Sequence, residues 1–290
     1  MGSEAVQFEQ VTYRYPGGSA PAVEGVTLSV RPGERLGVLG PNGGGKSTLL
    51  KLALGLLPLQ QGRIEVLGRS PAEARRGGLI GYVAQRIDAE LGFPLSVRQV
   101  VELGASWRTP PWRRLDPGAR ARVERALQLT GAAAVADRPI GSLSGGQMQR
   151  AMIARALAAD AKILVLDEPL VGIDAAGQQQ FAELLATVHR ATGVTILIVS
   201  HDLRAIAAGC DRVACLARRL HSHVSPQGLT PQVLAELFSH DVAGLAGVGG
   251  LAGVHVHAHG PNEPCPEHGA PAGPVGLTVR GRSAGDGGAG

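Results

Sequence analysis

Apolar and polar residues alternate in part through VQFEQVTYRY (6–15) and again through VEGVTLSV (23–30), the period of a half-buried strand. Pro16-Gly17-Gly18 makes the turn between them, and Arg31-Pro32-Gly33-Glu34 makes the next. Residues 35–39 form a short apolar strand that runs straight into a glycine loop. From Lys46 to Leu57 the apolar spacing becomes helical, and Pro58 predicts its end. Residues 62–84 return to strand and turn character, closing on LIGYVAQ. Between about 88 and 140 the pattern is helical again, in FPLSVRQVVELG and DPGARARVERALQLTGA with the break TPPWRR between them, and reads as a helical insertion. LSGGQMQRAMIARALAA opens a helix, and KILVLDEP is a buried strand with acids at its tip. A helix at about 175–191 and the strand VTILIVS complete a βαβ unit. RVACLARRLHSH reads as a closing strand pair and PQVLAELF as a short helix. Past about residue 245 the periodicity vanishes into Gly, Ala, Pro and His, the composition of a disordered tail.

The chain of 290 residues is long enough for a substantial core, and 44% hydrophobic with 18% charged residues is ordinary for a soluble globular protein. A formal charge of +4 is too small to argue for nucleic acid, and no basic run with interleaved aromatics offers a groove for bases. The excess is compatible with a position near an anionic membrane surface. Cys210, Cys215 and Cys265 make no even framework, which points to a reducing compartment. MGSEAVQFEQ does not read as a secretory signal, and the apolar runs are too short to span a bilayer. Any membrane role is therefore expected to come through partners.

Gly40-Pro41-Asn42-Gly43-Gly44-Gly45-Lys46-Ser47-Thr48 matches G-x-x-x-x-G-K-[ST], preceded by a strand and followed by a helix as a phosphate loop requires. Glycines let the backbone curl so that successive N–H groups face one anion, and the following helix adds its positive dipole end. Lys46 is placed to reach the β- and γ-phosphates, and the Ser47 hydroxyl to ligate Mg²⁺. Asp167 and Glu168 stand at the carboxyl end of ILVL, where parallel sheets hold ligands. Asp167 suits the Mg²⁺ shell, and Glu168 suits a general base that polarises a water. His201, ending VTILIVS, is either structural or within reach of a γ-phosphate.

Leu143-Ser144-Gly145-Gly146-Gln147, taken with these pieces and their order, resembles the ATP-binding subunit of ABC transporters over roughly residues 5–240. The resemblance implies an α/β, P-loop NTPase core of ABC type, a mixed sheet flanked by helices, with an N-terminal antiparallel β subdomain. The ATPase domain would cover 4–244, with the helical insertion at about 88–155 and a tail at 245–290. It implies a homodimer in which residues 143–147 of one copy cap the ATP held by residues 40–48 of the other. A helix N-terminus at Ser144 fits that task physically, since it offers N–H groups and a hydroxyl to a phosphate. Tyr15 resembles the aromatic that stacks on adenine, with Tyr13 as the competing candidate. Gln85 resembles the glutamine that senses Mg²⁺, Asp174 the aspartate linking the two sites, and His201 the switch histidine. ATP and Mg²⁺ are the implied cofactors. Hydrolysis assisted by Glu168, Lys46 and His201 would be coupled to transport through integral membrane permease subunits. The expected place is the cytoplasmic face of the membrane, with an extracytoplasmic substrate-binding protein as an indirect partner and no nucleic acid.

GPNGGGKSTLLKLALGLL, FPLSVRQVVELG, GQQQFAELL and VACLARRLHSH are similar to the importers of zinc, manganese or iron, and imply a divalent metal cargo, zinc or manganese. Leu170 and Val171 depart from the small or polar residues that commonly follow DEP. His255, His257, His259, Cys265 and His268 in the tail read either as low-complexity sequence or as ligands for a borderline divalent metal. Export, another cargo, and a soluble ABC ATPase acting on nucleic acid or the ribosome are the alternatives.

Overall fold

A computed structural model of the chain describes residues 4–84 and 94–225, apart from 108, 111, 171, 172, 203–205, 207 and 208. In chain order the elements are β1 (Val6–Tyr13), β2 (Val23–Val30), β3 (Arg35–Leu39), α1 (Lys46–Ala53) and β4 (Gln61–Val66). They continue with α2 (Pro71–Arg76), β5 (Ile80–Val83), α3 (Val97–Ala105), α4 (Pro117–Thr130) and α5 (Gly145–Ala158). Last come β6 (Ile163–Asp167), α6 (Ala175–Thr192), β7 (Thr195–Ser200), β8 (Arg212–Ala217) and β9 (Arg219–Val224).

The strands form two sheets. One is antiparallel, in the order β2-β1-β4, with Phe8 opposite Leu28 and Ile64. The other runs β5-β6-β7-β3-β8-β9 and is parallel except for the β8–β9 hairpin. β6 and β7 are buried along their whole length, which explains why ILVL and TILIV are continuous apolar runs rather than alternating ones. Their side chains still divide by the two-residue period. Leu164, Leu166, Ile196 and Ile198 join the core under α3–α6, while Ile163, Val165, Leu197 and Val199 join α1 and the antiparallel sheet.

Apart from α1, the helices begin where short polar side chains can occupy the first free N–H groups. Ser96 and Ser144 form capping boxes with Gln99 and Gln147, and Asp116 and Asp174 cap α4 and α6. Two local readings differ from the structure. α1 ends at Ala53 rather than reaching Leu57, because Gly55 takes φ 62° against the backbone of Ala72. Residues 71–76 are helical rather than strand or turn, started by a capping box of Ser70 and Glu73 with Pro71 in the first turn. No described helix is long and apolar enough to cross a membrane.

Candidate functional site

Parallel pairing brings the chemistry together. Leu39 at the end of β3 lies opposite Ser200 at the end of β7, and Val199 lies opposite Asp167 at the end of β6. The segments that follow, Gly40–Ser47, Glu168 and His201, therefore leave the sheet at one level and on one edge.

Gly43 and Gly45 have φ 74° and 90°, a conformation that side chains disfavour. Gly40 has a different reason to be glycine: a Cβ there would stand 2.0 Å from the Leu216 carbonyl oxygen of β8. α1 starts on Gly45 without a side-chain cap, so no cap side chain occupies its first N–H groups. Lys46 is buried and donates from Nζ to the carbonyl oxygens of Gly40 and Pro41, both at 2.8 Å. Its ammonium also lies 3.8 Å from Glu168 Oε1.

Glu168 is buried at φ 48°, an unusual backbone angle for a non-glycine residue, and its N–H donates to Val199 O at 2.8 Å. Its second oxygen is 2.6 Å from His201 Nδ1. The carboxylate thus stands between the phosphate-loop ammonium and a half-exposed imidazole. Asp167 is turned another way. The Tyr82 hydroxyl donates to its Oδ2 at 3.3 Å, and its Oδ1 is buried without a hydrogen-bond partner. Burial raises the Asp167 pKa, and the neighbouring Glu168 charge adds to the rise. A buried carboxylate oxygen with no protein donor suits a hard cation, so the residues present fit Mg²⁺.

Tyr15, Ala22, Asn42–Thr48 and Glu168 line one open pocket of about 390 Å³. Tyr15 is 39% exposed, and its hydroxyl is 3.3 Å from Thr48 Oγ1. Tyr13 is only 3% exposed and meets the Tyr15 ring edge-on with centroids 5.1 Å apart. Of the two tyrosines, Tyr15 is the one that faces the phosphate loop.

Leu143–Gln147 do not line this pocket. Ser144, Gly145 and Gly146 are exposed, and the two glycines border a different cavity of about 460 Å³ beside Asp174. Asp174 itself accepts from Gly177 N at 2.9 Å as the cap of α6. Gln85 and Val171 lie outside the described residues, as do His255, His257, His259, Cys265 and His268. Tyr82 was not foreseen as a site residue. The available signal is its place in LIGYVAQ on β5, the strand that pairs with the acid-bearing β6 and sets Tyr82 opposite Val165.

A family model described as ABC transporter matches residues 23–171. The zinc import ATP-binding protein ZnuC of Cereibacter sphaeroides is 42% identical over 226 residues, covering 76% of this chain and 83% of that protein. Among solved structures, cbiO1 of Clostridium perfringens, part of the ABC transporter complex cbiONQ, is similar at 30% identity and a TM-score of 0.71, covering 84% of this chain and 98% of that one. A dimeric ATP-binding cassette in a post-hydrolysis state with ADP and Pi is similar at 26% identity and a TM-score of 0.65, covering 77% of this chain and 100% of that one.

Proposed function

Because this chain belongs to the ABC transporter ATP-binding family, we propose that it powers import of a divalent metal ion, zinc before manganese, with two copies of it docked on membrane permease subunits. It is an ATPase. The observation that carries the proposed mechanism is the convergence of Lys46, Asp167, Glu168 and His201 at one edge of the parallel sheet. The cargo rests on likeness to zinc import proteins.

In this reading Tyr15 stacks on adenine, while the N–H groups of residues 40–48 and Lys46 hold the phosphates. Ser47, Asp167 and Gln85 would hold Mg²⁺, which supplies charge neutralisation at the β- and γ-phosphates. Glu168 takes the proton of the attacking water, and His201 and Lys46 stabilise the negative charge that develops. Ser144–Gln147 of a second copy complete the site from the other side, and Asp174 joins the two sites. The cytoplasmic face of the membrane is the place this implies, with a substrate-binding protein on the other side. The tail histidines and Cys265 would offer ligands to the same class of metal.

A groove of about 310 Å³, lined by Tyr82, Leu103, Trp107 and Arg155 among others, is a suitable seat for a permease segment. Leu103 and Trp107 are 56% and 40% exposed there, large apolar side chains on the helical insertion facing solvent.

The deciding experiment is reconstitution with the permease in vesicles. ATP-dependent accumulation of radioactive zinc is expected, with manganese as a weaker competitor. Hydrolysis indifferent to the permease, together with tight and steeply salt-dependent binding of nucleic acid, would instead favour a non-transport role. For the nucleotide itself, Tyr15→Ala is expected to weaken ATP binding about 5- to 100-fold, the scale of one lost base–aromatic stack, at unchanged melting temperature. Tyr13→Ala is expected to lower the melting temperature instead, since it empties a core position. Isothermal titration and thermal denaturation separate the two, and native ATP affinity in the Tyr15 variant removes it from the site.

A further inference from the structure

Tyr82 stands between two features that the proposed mechanism treats separately. Tyr82 is among the residues that border the groove beside Leu103 and Trp107, its side chain packs with the core of α1 and the antiparallel sheet, and its hydroxyl reaches Asp167 Oδ2 at 3.3 Å. Asp167 accepts this bond on one oxygen only, and the other is left buried and unpartnered. A carboxylate with two free rotational settings would spend part of its time with neither oxygen correctly aimed at a cation. A fixed donor on one oxygen removes that freedom and leaves the other to the metal, as outer-shell hydrogen bonds do for carboxylate ligands generally.

We propose that Tyr82 is a positioning residue for Asp167, holding Oδ2 so that Oδ1 is presented to the Mg²⁺ that accompanies ATP. This rests on the reading of Asp167 as a metal ligand.

The test is a double-mutant cycle on the full chain with Tyr82→Phe and Asp167→Asn. Phenylalanine keeps the ring and its packing and removes only the hydroxyl. Binding of a fluorescent ATP analogue is followed while Mg²⁺ is titrated, and binding in excess EDTA serves as the metal-free reference. Tyr82→Phe is expected to raise the Mg²⁺ concentration at half-maximal binding about 3- to 10-fold, with metal-free nucleotide binding unchanged. In the Asp167→Asn background the same substitution is expected to produce no further shift. An unchanged Mg²⁺ midpoint in the Tyr82 variant overturns the proposal, and so does an equal shift in both backgrounds. If Asp167→Asn alone leaves the midpoint unchanged, the metal-ligand reading of Asp167 fails, an outcome distinct from failure of Tyr82 alone. Melting temperatures of the nucleotide-free variants show whether either substitution acts through folding.

Discussion

Replacing Lys46 with alanine is expected to weaken ATP binding by about 10- to 100-fold and to lower turnover further still. The ammonium is buried, so its interaction with a triphosphate is little screened by water, and a hydrogen bond to a charged group is worth about 1.5–3 kcal/mol. Lys46 also holds the nucleotide-free loop. Its Nζ donates to Gly40 O and Pro41 O, which face inward at the start of that loop. Alanine leaves these two carbonyls without that donor and leaves Glu168 without the ammonium 3.8 Å away. The variant should therefore melt below the native chain even without nucleotide, a loss that a lysine serving only as a phosphate ligand would not produce. Isothermal titration with Mg-ATP, a phosphate-release assay and thermal denaturation read the three effects. Native affinity and native turnover together would remove Lys46 from the proposed site.

The parts of the site legible in the sequence are those carried by contiguous residues. The phosphate loop needs glycines in fixed places beside a strand and a helix, and the acids follow a run apolar enough to be a central strand. Residues 163–167 and 195–200 declared themselves because both faces of those strands are covered. What could not be read locally was set by neighbours in space. α1 ends early because Gly55 takes a left-handed turn against Ala72, two elements on. The α2 capping box was readable at Ser70 and Glu73, but it opens only six helical residues, too few for periodicity to show. Gly40 must be glycine because of the Leu216 carbonyl, 176 residues away along the chain and adjacent only because β8 pairs with β3. Tyr82 reaches Asp167 for the same kind of reason, since the neighbouring of β5 and β6 is a fact of sheet order. The alternation that placed Tyr13 and Tyr15 on one face held no information about which lies under the core and which beside the loop. Residues 143–147, finally, do not line the pocket of residues 40–48, and Gly145 and Gly146 border a separate one beside Asp174.

Glu168→Gln is expected to cut ATP hydrolysis by about 10²- to 10⁴-fold, the range for loss of a general base, while ATP affinity is not reduced. The substitution is close to isosteric and keeps the backbone contact of Glu168 N–H with Val199 O. It removes a negative charge lying between Lys46 and His201, where the proposed mechanism puts the end of the triphosphate. The direction of the binding effect follows from that placement. A carboxylate near the terminal phosphate repels it, and it also engages the ammonium and imidazole that should meet the phosphate. An amide does neither as strongly, so bound ATP should be held longer and not turned over. If two copies close on ATP, the variant should accumulate as a dimer with ATP present and return to monomer when the nucleotide is removed. Size-exclusion chromatography with and without Mg-ATP, beside a phosphate-release assay, tests both halves. A variant that hydrolyses ATP at the native rate removes the base assignment. One that is inactive, binds ATP tightly and stays monomeric would leave Glu168 as the base and count against closure of two chains around the nucleotide.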